Sequence, residues 1–155
     1  MTEAGPPQVV TAISIALATR LPMRDIERVH AEAGAGLVGD RYHGSRHRHV
    51  SVQSAGELAE SAERLGAPVP HDRTRRNLTL SHGGVARRPG TRVRVGGALL
   101  EVVRPAPPCR IMDDTVGPGA ARAMHDRGGS IFRVLESGDI ALGDVWHELP
   151  PDPPD

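Results

Sequence analysis

Residues 9–18 form an apolar run rich in β-branched side chains, the pattern of a buried strand. A short strand is predicted over residues 29–33, ended by Gly34 and Gly36, and residues 49–52 alternate as a half-buried strand does. The period then changes. Ala55, Leu58, Ala59, Ala62 and Leu65 share one helical face, while Glu57, Glu60, Glu63 and Arg64 fall away from it. Ser54 is the expected N-cap, with Glu57 placed as a capping box requires, and Gly66 and Pro68 close the helix. Further strands are predicted at residues 77–80, 92–95 and 98–103, the last two joined by a Gly96-Gly97 hairpin turn. Pro105, Pro107 and Pro108 break the chain before Cys109, and residues 119–126 suit a short helix. Residues 131–136 and 145–149 are closing strands, joined through the turns Ser137-Gly138-Asp139 and Gly143-Asp144.

About seven short strands and two helices, with no regular strand–helix alternation, predict a mostly β fold. The expected architecture is an antiparallel or mixed β barrel with inserted α-helices. The helix that follows a strand keeps an α/β arrangement open. Residues 1–8 read as a flexible leader, residues 9–149 as one domain, and residues 150–155 as a Pro-rich disordered tail.

Composition narrows the chemistry. Lysine is absent, so all 19 basic residues are arginine; a pyridoxal phosphate aldimine, which needs a lysine, is excluded. Tyr42, Phe132 and Trp146 are the only aromatics, too few for a base-stacking platform, so nucleic acid is not an expected partner. A single cysteine rules out an internal disulfide and any multi-cysteine metal site. No stretch approaches a membrane span and no secretory signal opens the chain, so a cytoplasmic protein without a membrane partner is expected.

The 19 basic and 19 acidic residues cancel, yet unevenly. Residues 71–110 hold nine arginines and two acids, whereas residues 111–155 hold three arginines and nine acids. The middle block is either a local anion site or the partner of the acidic final third. Within it, Arg75, Arg76 and Asn77 precede a strand, and arginine forks match phosphate or carboxylate oxygens. Asp40 and Arg41, after three closely spaced glycines, either orient a ligand or close a turn. His43, His47 and His49 suggest a metal, but Arg41, Arg46 and Arg48 are interleaved and no glutamate follows closely. Surface histidines, or histidines that help to bind an anion, are the other readings. Cys109 stands between Arg104 and Arg110 in sequence, and nearby guanidinium groups favour its thiolate, the nucleophile and soft metal ligand. A lone cysteine is also commonly an inert small hydrophobe, and no histidine partner can be named for a Cys–His dyad.

Taken in order, these pieces resemble a MOSC domain, the module named after the C-terminal region of molybdenum cofactor sulfurase. The resemblance is carried by Gly36-Leu37-Val38-Gly39-Asp40-Arg41, Arg48-His49-Val50-Ser51 leading into the helix with Glu57, and Arg75-Arg76-Asn77-Leu78. It continues through the strand pair at residues 90–103, Pro108-Cys109, Gly138-Asp139-Ile140 and Gly143-Asp144. It implies a MOSC-type β barrel and a stand-alone member that binds molybdenum cofactor (molybdopterin) or carries sulfur. Carried over, Cys109 is the catalytic residue and the molybdenum ligand, or the site of a persulfide. Arg75, Arg76, Asn77, Asp40 and Arg41 are the cofactor-binding residues. The implied activity is reduction of N-oxygenated substrates, fed by a separate electron donor. The alternatives are a persulfide sulfur carrier for metal–sulfur assembly, supplied by a cysteine desulfurase, and a non-catalytic module for a phosphorylated small molecule.

Overall fold

Alternation becomes pairing along most of the chain. The computed structural model describes residues 5–106 and 111–151, so Cys109 lies outside the described residues. The strands are β1 (Val10–Ile15), β2 (Arg24–Ile26), β3 (Arg28–Glu32), β4 (Gly36–Leu37), β5 (Val50–Ser54) and β6 (Leu78–Leu80). They continue as β7 (Arg92–Val95), β8 (Ala98–Pro105), β9 (Ser130–Glu136), β10 (Gly138–Ala141) and β11 (Trp146–Glu148). Helix α1 (Ala55–Leu65) follows β5, and the short helices α2 (Ile111–Thr115) and α3 (Ala120–Ala123) precede β9.

Eight strands form one sheet in the order β11-β7-β8-β9-β5-β6-β1-β2, and β10-β3-β4 form a second. Every pairing is antiparallel except that of β5 with β6. A parallel pair needs a crossover, and α1 supplies it. The α/β alternative is therefore confined to this one unit inside an otherwise antiparallel, mostly β fold. The expected closed barrel is not formed as a continuous ladder among the described residues. The large sheet curls until the start of β11 reaches the start of β1, where a single bridge joins Val145 to Val9. Val10 N–H also donates to the Asp144 carbonyl there (2.9 Å), and Trp146 N–H to that of Gln8 (2.8 Å).

Both sheets cover one core, in which Ile13, Leu37, Leu78, Leu80, Leu100, Phe132 and Ile140 have no exposed surface. Phe132 meets Trp146 edge-on, ring centroids 5.3 Å apart, a favoured aromatic geometry. A second apolar cluster, Leu58, Val69, Met112, Ala120 and Met124, packs the three helices together.

Three strands escaped the sequence reading. In β2, Arg24 and Asp25 are exposed and no apolar alternation marks an edge strand so polar. β4 is only two residues long and begins with glycine. The residues of β10 read as a turn because of Gly138, which is required for packing: a side chain there would collide with the Gly97 backbone. The capping box also differs. Ser54 caps α1 by accepting from Gly56 N–H, but Glu57 reaches across to Val85 N–H (3.1 Å). Within the expected leader, Pro6 and Gln8 are fastened to the loop after β6, through His82 Nε2 (2.9 Å) and the His82 carbonyl (2.6 Å).

Candidate functional site: an arginine-lined cavity

Asp40 forms the foundation. It ends the glycine-rich turn after β4, and its side chain is fully buried. Oδ1 accepts from Ala16 N–H (3.1 Å) and Arg41 Nη1 (3.3 Å), and Oδ2 accepts from Tyr42 N–H (3.3 Å). Asp40 thus closes a turn, one of its two expected roles, and in doing so fixes Arg41. Arg41 Nη2 donates in turn to the Arg75 carbonyl (3.4 Å). Two loops far apart in sequence are thereby locked together.

The result is a cavity of about 210 Å³ lined by Arg20, Arg41, Arg48, Arg75 and Arg76, with Thr19, Tyr42, Thr74 and Met112. Five arginines line it, and Asp40, which pairs with Arg41, is not itself among the wall residues. Such a site attracts anions. Arg75 has a left-handed backbone (φ 63°), as does Arg20 (φ 71°). Non-glycine residues hold that conformation at a cost, and it gathers at ligand sites. Arg75 Nη1 donates to the Leu21 carbonyl (2.9 Å). Burial, then the neighbouring Arg41 charge, lowers the pKa of Arg75. Arg76 is buried, and its Nε donates to the Gly128 carbonyl (3.0 Å).

Of the residues expected from sequence, Arg41, Arg75 and Arg76 therefore line the cavity, and Asp40 braces it. Asn77 goes elsewhere. Its Oδ1 accepts from Ser51 N–H (3.0 Å) and Ser51 Oγ (3.1 Å), and its Nδ2 donates to the Ser14 carbonyl (3.0 Å). The side chain stitches β1, β5 and β6 together and is not among the cavity walls. Cys109 lies outside the described residues, but Met112, three residues after it in sequence, is a wall residue.

The histidines do not gather. His49 is buried; its Nε2–H donates to the Ser45 carbonyl (2.7 Å) and its Nδ1 accepts from Val134 N–H (3.0 Å). Both nitrogens are spent inside the fold, and burial lowers its pKa. His43 pairs with Glu32 (2.8 Å), and His47 is exposed. No group of three metal-ligating side chains occurs among the described residues. The basic block divides between two surroundings. Arg87 and Arg94 pair with Asp126 and Glu136 of the acidic final third, whereas Arg75 and Arg76 face the cavity. Sequence reasoning missed Arg20, Arg48, Tyr42, Thr74 and Met112. Arg20 and Arg48 come from outside the basic block, so block charge could not find them.

This is a mostly β protein with an arginine-lined cavity. A family model described as MOSC domain matches residues 39–147, and the chain belongs to that family. Two structural neighbours resemble nearly all of it. The YuaD protein of Bacillus subtilis shares 18% identity with a TM-score of 0.79, covering 92% of this chain and 97% of its own. YiiM of Geobacillus stearothermophilus shares 18% identity with a TM-score of 0.73, covering 93% of this chain and 76% of its own. At these identities the likeness concerns the fold. A search of curated proteins gave no significant match. No helix among the described residues is long and apolar enough to cross a membrane.

Proposed function

We propose that the chain holds a molybdenum–pterin cofactor, with Arg41, Arg75 and Arg76 binding its phosphate and Cys109 supplying a sulfur ligand to the metal. One observation carries this reading: five arginines converge on a cavity whose wall includes Met112, three residues from the only thiol.

The residues fit such a group. Guanidinium forks match phosphate oxygens in bidentate fashion, and a thiolate suits a soft metal centre. Among the described residues Arg48 Nε is buried without a hydrogen-bond partner, so the wall has unspent donor capacity. Membership of the MOSC family, which is associated with this cofactor, supports the same reading. When bound, the cofactor supplies two-electron chemistry suited to N-oxygenated substrates, with electrons from a separate donor chain. The protein's own part is to bind and orient: Asp40 fixes Arg41, Arg41 fixes the Arg75 loop, and the guanidinium groups neutralise the phosphate.

The test is reconstitution with isolated molybdenum cofactor followed by gel filtration. Retention by the wild type and loss in both Arg75→Glu and Cys109→Ser is the expected result; equal retention by all three overturns the reading. The second reading is a persulfide carrier, favoured by Arg104 and Arg110 on either side of Cys109 in sequence. It predicts a mass gain of about 32 Da, one sulfur atom, on Cys109 after incubation with a persulfide donor, whose outer sulfur the thiolate attacks while the donor leaves as a thiol. No adduct counts against it.

A further inference from the structure

The cavity contains one aromatic side chain, and two of its arginines lie against it. The Arg41 guanidinium carbon is 4.6 Å from the centre of the Tyr42 ring, and that of Arg48 is 4.5 Å from it. Both lie within the range at which a guanidinium is attracted to the ring's negative face. A single ring therefore holds two like charges near each other, which would otherwise repel.

The two arginines differ in what else they touch. Arg41 has the Asp40 carboxylate, the Arg75 carbonyl and Met23 Sδ (3.4 Å). Arg48 has no ion pair or side-chain hydrogen bond among the described residues. Its Nε is buried with no partner. A donor withdrawn from water and left unpaired destabilises a fold, and more so when charged. Among the described residues the Arg48 charge has the Tyr42 ring as its one charge-stabilising contact, and the residue lines the cavity.

We infer that Arg48 is an anion-binding residue of this cavity and that Tyr42 is its positioning residue, the pair favouring a ligand with more than one anionic oxygen, as in a phosphate monoester or diphosphate. The inference rests on the anion-site reading above and adds two residues and a preference to it. Arg41, fixed by Asp40, meets one ligand oxygen, and Arg48 meets another. Tyr42 sets the separation of the two. Its contribution is the ring face rather than the hydroxyl, so phenylalanine substitutes for it and an aliphatic side chain does not.

Inorganic pyrophosphate is the probe, with affinity measured by calorimetry on the full chain and thermal unfolding followed in parallel. Arg48→Gln is expected to weaken binding about tenfold without lowering the unfolding temperature, because it removes an unpaired cation. Tyr42→Leu is expected to weaken binding about fivefold, and Tyr42→Phe by less than twofold. Combining Arg48→Gln with Tyr42→Leu is expected to cost less than the product of the two single losses, because the part of the Tyr42 effect that acts through Arg48 is already gone and only its contact with Arg41 remains. The inference is overturned if Arg48→Gln binds as the wild type does, if Tyr42→Phe loses as much as Tyr42→Leu, or if the two losses multiply. Should Tyr42→Leu fail to fold, Arg48→Gln and Tyr42→Phe still decide the matter. A wild type that binds no pyrophosphate overturns the anion-site reading and this inference together; a wild type that binds with indifferent variants overturns the inference alone.

Discussion

Replacing Asn77 with alanine separates a ligand-binding residue from a structural one. The side chain is buried and makes three hydrogen bonds: two accepted by Oδ1 from Ser51, and one donated by Nδ2 to the Ser14 carbonyl. Alanine removes all three partners at the junction of β1, β5 and β6. The Ser51 hydroxyl can rotate while its Oγ still accepts from Asn77 N–H (3.0 Å). The Ser51 amide and Ser14 carbonyl have no such freedom, and an unsatisfied buried group costs about 1–3 kcal/mol. The expected loss is therefore about 2–4 kcal/mol. With a urea slope of about 2 kcal/mol/M, the middle of the range for small proteins, the midpoint should fall by roughly 1–2 M at unchanged slope. Urea unfolding at pH 7 is the assay, with pyrophosphate affinity of the still-folded variant as the companion measurement. A variant of wild-type stability that has lost its affinity would refute the assignment and return Asn77 to the ligand.

Other expected outcomes follow from the same contacts. Asp40→Ala leaves Arg41 without its buried counter-charge and should cost about 3–5 kcal/mol, as broken buried pairs do; a urea midpoint within error of wild type would contradict this. Gly36 has φ +113°, and a Cβ there would lie 3.1 Å from the His49 Cα, so Gly36→Ala should destabilise by about 1–3 kcal/mol, read as a lowered unfolding temperature. Burial lowers the His49 pKa in the fold, so as pH falls the unfolded chain takes up this proton first. Its contribution should be full above about pH 6.5, the ordinary histidine value, and should be lost as pH falls through the lower value of the folded state. Urea midpoints between pH 7.5 and 5 should show this decline in the wild type and a weaker one in His49→Gln; parallel curves would contradict it.

What could be read from the sequence was whatever depends on local pattern. The amphipathic face from Ala55 to Leu65 became α1, and the alternation around Gly96-Gly97 became the hairpin of β7 and β8. The order of motifs gave the family, and the arginine pair before β6 gave two walls of the cavity. What stayed hidden depends on close approach between distant segments. Gly138 looks like a turn residue until the Gly97 backbone is placed against it. His49 looks like one of three surface histidines until the Ser45 carbonyl and Val134 amide consume both of its nitrogens. Asn77 looks like a ligand donor beside two arginines, but strand geometry turns it the other way, toward Ser14 and Ser51. Arg20 and Arg48 carry no local sign that they meet Arg75; only the turns around Asp40 bring them together.

Molybdenum per chain, measured by elemental analysis of protein purified from cells that make the cofactor, tests the central claim most directly. A near-stoichiometric metal content in the wild type, falling to background in Cys109→Ser and in Arg75→Glu while both variants remain folded, is the predicted result. Wild-type protein that carries no more molybdenum than those variants, and acquires none when cofactor is added, contradicts it.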